Sequence, residues 1–360
     1  MRALATRNED AGGPREHAIL LDLLRVLAAI CVLLVHTRGL SFVEFGALPP
    51  SQQTFFVSIL LGLTRSGQEA VMAFFVLSGF LVGGQLIRRV MRGDFSLADY
   101  AIDRCSRILL PLIPACLLTA AINAFLLDAP DSPWDVIGSM VGLNGVLVTE
   151  PDHNGPLRTL AYEIWFYILG GALAYLIATC RRRVSLTAVL VVGVGVLVFT
   201  ILRAPLLLFW MLGGLMALCV SIPYRKSIAA LGCVIAATGA YFFEMTLPSH
   251  ALHRTDLVSA DTAEAMVAVG ICLLLPACSQ VRVRADLTPL TRSIAFVASI
   301  SYSLYLIHSP VLFVLQRSLP KASVIDAQSL EAVGIRIVVV GLVTLVFYWL
   351  FERNTPALRR

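Results

Sequence analysis

Charge is what this chain has least of. Asp, Glu, Lys and Arg make up 14% of its 360 residues, against 58% hydrophobic. That scarcity excludes a soluble globular domain of this length, in which about half of the residues would be polar. Internal repeats and low-complexity tracts are missing too, as is any appended soluble domain. This leaves one membrane domain over residues 18–352, between a polar tail at 1–17 and a short basic tail at 353–360. No small-x-small cleavage site follows the first apolar run, which itself holds Asp22 and Arg25, so a removed signal peptide is not expected. The eight cysteines include no C-x-x-C pair and no zinc spacing. They read as small apolar packing residues, and no metal is expected.

What the chain has is apolar runs of about 18–22 residues, the length that crosses a hydrocarbon core of roughly 30 Å at 1.5 Å per residue. In lipid the backbone must satisfy its own hydrogen bonds, so these runs are helices. The expected fold is all-α, a polytopic membrane protein of about ten transmembrane helices. The spans fall near 18–37, 69–87, 107–127, 157–179, 184–201, 203–222, 226–243, 262–279, 294–315 and 331–351, with a shorter interfacial or re-entrant segment near 53–63. Basic residues set the orientation. With the N-terminus inside, nineteen of the 28 Lys and Arg fall in cytoplasmic segments, among them Arg88, Arg89, Arg92, Arg104 and Arg107, and seven in outer ones. The outer loop around Asp128, Asp131, Asp135, Glu150 and Asp152 is acidic. Both termini are therefore expected in the cytoplasm. The net charge of +5 reflects this topology, and no nucleic-acid partner is implied.

An ionisable group inside a span costs at least ~2.5–3.5 kcal/mol on insertion scales, so each one needs a reason. Arg25 and His36 are eleven residues apart, which is about 20° past three full turns. They lie on one helical stripe with roughly 16 Å between them along the axis. Asp22 is three residues before Arg25, within pairing reach. The bland alternative is a pair that anchors the helix at the inner interface, with His36 among the outer headgroups. Glu69 enters the second span, and Ser78-Gly79 within it reads first as small residues for close packing. Arg104 and Arg107, three apart at a helix start, could clamp a polyphosphate through bidentate bonds or meet anionic lipid. Glu163 lies about six residues into its span and shares a face with Tyr167. Tyr302, Tyr305 and His308 or Ser309 form a polar seam that interhelical hydrogen bonding alone could explain. Under the expected orientation His36, Glu69, Glu163 and His308 occupy the outer half, and the arginines the inner. A phosphorylated head in the cytoplasm with a thin arm along the first helix, the shape of acyl-coenzyme A, would join the two sets.

Together these motifs resemble the acyltransferase-3 family of multipass membrane acyltransferases, over nearly the whole chain. The family's Arg, ten residues, His pattern is matched by Arg25 to His36 and its Phe-Phe-Val-Leu-Ser-Gly-Phe-Leu core by residues 74–81. Its Arg-x-x-Arg-Ile step is matched by Arg104, Arg107 and Ile108 with Pro111, its carboxylate motif by Leu160 to Tyr167, and its Ile-Ser-Tyr-Ser-Leu-Tyr-Leu-x-His run by Ile300 to His308. Phe351-Glu352-Arg353-Asn354-Thr355-Pro356 is similar to its ending. Many members carry Trp-Ser where this chain has Arg158-Thr159. Its Thr-Leu-x-Tyr-Glu form looks more like the exopolysaccharide and Nod-factor modifying branch.

The resemblance implies O-acylation of a carbohydrate or lipid-linked glycan in a bacterial inner membrane, with acetyl-CoA as the acyl donor. Under it His36 is the expected general base, or an acyl carrier. Glu163 would orient its ring, Tyr167 or Tyr302 would steady the oxyanion, and Arg25, Arg104, Arg107 and Arg88 would hold coenzyme phosphates. Some relatives carry an esterase-like domain that completes transfer. This sequence stops after its last span, so the expectation is either a separate periplasmic partner for such a step or no such step at all. The reading from another class is a transporter or flippase for a lipid-linked sugar, whose polar residues would line a pathway.

Overall fold

A computed structural model describes residues 16–180, 184–221, 226–246, 257–281, 283–284 and 288–353. Residues 1–15 of the expected tail at 1–17, residues 354–360 of the expected tail at 353–360, and Arg181 to Arg183 lie outside the described residues. The described residues form thirteen α-helices: α1 (Ile19–Ser41), α2 (Phe55–Leu63), α3 (Gly67–Ser78), α4 (Gly84–Arg92), α5 (Leu97–Leu126), α6 (Pro133–Met140), α7 (Leu157–Thr179), α8 (Leu186–Ile201), α9 (Ala204–Met216), α10 (Lys226–Thr246), α11 (Ala260–Gln280), α12 (Pro289–Ser318) and α13 (Ala327–Phe347). A two-residue ladder pairs Glu16–His17 with Val283–Arg284.

Among the described residues eight helical stretches are long and apolar enough to cross a membrane. The two remaining expected spans are realised as the shorter apolar stretches Leu186–Ile201 and Ala204–Val220. The first of these, at 16 residues, is about 24 Å long, short of the usual hydrocarbon thickness. Large apolar side chains lie bare on the outside, among them Leu190, Leu208, Leu231, Val338 and Leu342. A surface of that kind belongs in lipid. The molecule is a helical, multi-pass membrane protein.

Two helices start well before the apolar runs that announce them. Hydropathy puts the third span at 107, but α5 begins at Leu97, capped by the Ser96 side chain accepting from the Asp99 N–H. Its first two turns are polar, so Arg104 and Arg107 sit on a helix that continues into the membrane. Likewise α12 begins at Pro289 behind a reciprocal capping box between Thr288 and Thr291.

Small residues let the helices approach closely. A Cβ on Gly79 would fall 1.9 Å from the Trp210 carbonyl oxygen, and one on Gly213 would fall 2.2 Å from that of Val76. This crossing welds α9 to the continuous rod formed by α3, a π-helical turn at Gly79–Gly83 and α4. Gly232, Ala236 and Gly270 similarly seat α10 on α11. At the centre, α1 packs along α12 and α3, with α5 and α7 closing the far side.

Candidate active site

Between α1, α3, α4, α5, α7 and α12 lies a cavity of about 300 Å³. Its polar lining comes from Arg25, Ser78, Gln85, Arg104, Arg107, Thr159, Glu163, Tyr167, Ser301, Tyr302 and Tyr305. Six of the eight residues singled out for a site are thus brought together: Arg25, Arg104, Arg107, Glu163, Tyr167 and Tyr302. Two are not. The Arg88 guanidinium turns to the Ala217 carbonyl at 3.4 Å, and His36 stands outside the cavity, against His308.

The arginines form one wall. Arg25 pairs with Asp22 at 3.4 Å, as their spacing predicts. Arg104, itself buried, is bonded to Asp103 and stacks over the Tyr167 ring at 5.6 Å. Arg107 interacts electrostatically with Arg25 and with Glu352. Like charges crowded at one wall repel in a medium of low dielectric, and an anion placed among them relieves that repulsion.

A carboxylate faces this wall. The Tyr167 hydroxyl donates to Glu163 Oε1 at 2.5 Å. Ser78 Oγ lies 3.0 Å from the same hydroxyl and 3.5 Å from that carboxylate oxygen, and it accepts from Trp210 Nε1 at 3.2 Å. With the Tyr167 proton committed to Glu163, Ser78 is the donor to the phenol oxygen. Ser78 is therefore more than the packing residue its neighbour Gly79 is. In the sequence it stood out only as part of the motif at residues 74–81.

Tyr302 donates weakly to the Ile108 carbonyl at 3.4 Å. One residue on, Ser303 donates both its hydroxyl, at 2.5 Å, and its N–H, at 3.1 Å, to Glu352, which ties the tyrosine-rich run to the end of the last span.

The opposite wall is Tyr305. Its hydroxyl bonds Thr159, and its ring meets Phe74 edge-on at 6.0 Å. Thr159 lies one turn before Glu163 on the same face of α7, a spacing visible in the sequence that had not singled it out. Beyond Tyr305 lies a second group. The Tyr305 ring centre is 6.0 Å from that of His308, which in turn is 5.0 Å from that of His36. The loop before α7 is stapled to this end of α12: Ser309 donates to the His153 carbonyl at 2.7 Å, and Asn154 to Thr119 and the Leu306 carbonyl, each at 2.9 Å. His153 holds a left-handed φ of 60° there. The arrangement joins an anion-attracting wall, a hydrogen-bonded carboxylate and, past Tyr305, a histidine pair. Among the described residues no cluster of ligating side chains could hold a metal.

No curated protein and no solved structure matches the chain. The profile of the family described as acyltransferase domain matches residues 19–353, from the start of α1 to the end of the last span. With the arginine wall, the carboxylate and the paired histidines all inside that match, the chain belongs to the acyltransferase-3 family of membrane acyltransferases.

Proposed function

We propose that the protein moves an acetyl or similar acyl group from acyl-coenzyme A to a hydroxyl of a cell-surface or secreted glycan at the bacterial inner membrane. One observation carries the reading: Arg25, Arg104 and Arg107 converge with Glu163 on a single cavity whose far wall, Tyr305, touches the His308–His36 pair. A cavity of about 300 Å³ is at the lower end of ligand pockets. It suits a thin pantetheine arm, with the nucleotide phosphates on the guanidinium groups at its mouth.

The transfer runs as follows. The glycan hydroxyl oxygen bonds to the thioester carbon, and the C–S bond breaks. The hydroxyl proton passes to His36 and from it to the departing thiolate, leaving an ester and the free thiol. A neutral imidazole suits this exchange because its reference pKa, ~6.5, lies near working pH. Glu163, held by Tyr167 and Ser78, sits on the path of the arm rather than beside His36. Its role in this reading is to orient the arm's amides.

The test is twofold. Detergent-purified protein should bind coenzyme A in a calorimeter, and mass spectrometry of surface glycans should show acyl esters that vanish with His36→Ala although that variant still accumulates, folded, in the membrane. Esters persisting at wild-type level with His36→Ala would remove this histidine from the chemistry. Failure to bind the coenzyme would remove the donor.

A further inference from the structure

Of the paired histidines, the one that the proposed transfer leaves idle is His308. It is fully buried, with none of its surface exposed. Its Nδ1 lies 2.9 Å from the Leu304 carbonyl and 3.0 Å from that of Tyr305. Both partners are acceptors only, so Nδ1 carries the proton, and in the neutral ring Nε2 is then a bare lone pair. That Nε2 is buried and has no hydrogen-bond partner. A buried acceptor without a donor is an exception that calls for a reason. Two aromatic rings border the His308 imidazole, His36 and Tyr305. The Tyr305 hydroxyl is already bonded to Thr159. The His36 ring, at a centroid distance of 5.0 Å and tilted by 53°, is the neighbour that can bring an N–H to it by turning about its own side-chain bonds.

We propose that His308 is a positioning residue: its Nε2 accepts the ring N–H of His36 and so fixes His36 in the one tautomer whose other nitrogen is free to take the proton of the acceptor hydroxyl. The assignment rests on the transfer proposed above. The second ring nitrogen of a catalytic histidine is commonly held by a carboxylate or a carbonyl, and its partner decides the tautomer. Here a second imidazole takes that place. It is suited to a membrane interior because the pair stays neutral before reaction, so no fixed charge has to be kept in low dielectric. Its anchoring carbonyls belong to its own helix turn, so His308 needs no further residue to hold its orientation.

Two measurements test this. In the folded wild-type enzyme labelled with 15N-histidine and left without donor or acceptor, solid-state NMR should show a nitrogen-to-nitrogen correlation across the hydrogen bond between His36 and His308, with each ring in a single tautomer. Assignment comes from loss of those signals in His36→Gln and His308→Gln. In turnover assays His308→Phe should lower kcat by roughly 10²–10⁴-fold, the range of general acid–base contributions, while KM for the acyl donor stays within about twofold. His308→Gln, whose amide oxygen can stand where Nε2 stood, should recover at least about tenfold of that loss. A wild-type protein with no such correlation, a folded His308→Phe variant with unaltered kcat, or a Gln variant no better than Phe would each overturn the proposal. The NMR result needs no substrate. A wild-type enzyme that shows the correlation but transfers no acyl group would therefore sink the reading of function and leave the pairing standing.

Discussion

Tyr167 and Glu163, one turn apart on α7, share a 2.5 Å hydrogen bond inside the membrane domain. A phenol proton committed to a carboxylate is not available to an oxyanion, so Tyr167 acts on the site through Glu163. Its ring also supports the Arg104 guanidinium, which makes this pair the join between the arginine wall and the rest of the cavity.

Replacing Tyr167 by Phe keeps that ring and removes the proton. A hydrogen bond to a charged group is worth about 1.5–3 kcal/mol, so kcat/KM should fall roughly 10- to 100-fold. Ser78→Ala should act in the same direction and add little to the Tyr167→Phe loss, because the Ser78 hydroxyl donates to the phenol that in turn holds the carboxylate, one relay rather than two. Steady-state kinetics on the two single variants and the double variant decide it, and fully additive losses would separate the two hydroxyls.

Donor affinity should depend on the three arginines that line the cavity. Arg25→Gln, Arg104→Gln and Arg107→Gln should each weaken coenzyme A binding by roughly 10- to 100-fold, the loss of one charge-assisted contact. Lys in place of Arg104 should not restore it, since an ammonium has neither the fork nor the flat face that lies over Tyr167. Arg88→Gln should shift the calorimetric Kd less than any of the three, because Arg88 is turned to the Ala217 carbonyl.

Arg336 is all but buried, and one nitrogen of its guanidinium donates to the Leu40 and Leu319 carbonyls at the ends of α1 and α12. Positive charge is favoured at helix C-termini, and here it ties together the helices that carry His36 and His308. Arg336→Met should lower the unfolding temperature in detergent, at about 1–3 kcal/mol for each carbonyl left bare. Arg336→Lys should recover part of the loss. A Met variant that melts with the wild type would refute the clamp.

Two glycines should respond oppositely to the same change. At Gly79 an added Cβ meets the backbone of Trp210, and α3 and α9 must move apart; at Gly341, on α13, it meets nothing within 4 Å. Gly79→Ala should therefore cut the yield of folded protein, while Gly341→Ala should be neutral or stabilising by up to about 1 kcal/mol from helix propensity. Size-exclusion profiles and melting curves in one detergent compare them directly.

The spans were legible because lipid demands long apolar runs, and those runs are visible in any window of the sequence. Helix starts were less so: the first ten residues of α5 look like a loop by hydropathy, and only Ser96 followed by Asp99 hints at a capped helix. Single-helix faces could be read, which is why the Arg25–Asp22 and Glu163–Tyr167 pairs were foreseen. Partners on different helices could not be. Nothing in periodicity says that His36 meets His308 rather than Glu163, that Ser303 meets Glu352, or that Arg88 turns away from Arg104. Those choices are made by close packing, and the glycines that permit it declare small size without naming what they touch.

The bond between Tyr305 and Thr159 has a consequence for the cell as well as for the site. A hydrated hole running through a bilayer would short-circuit the proton and ion gradients that the membrane maintains. Among the described residues Tyr305, Thr159 and the edge-on Phe74 ring stand between the arginine-lined chamber and the histidine pair, so at rest the chamber can hold water without becoming a leak, and the donor arm must move them aside to bring its thioester to His36.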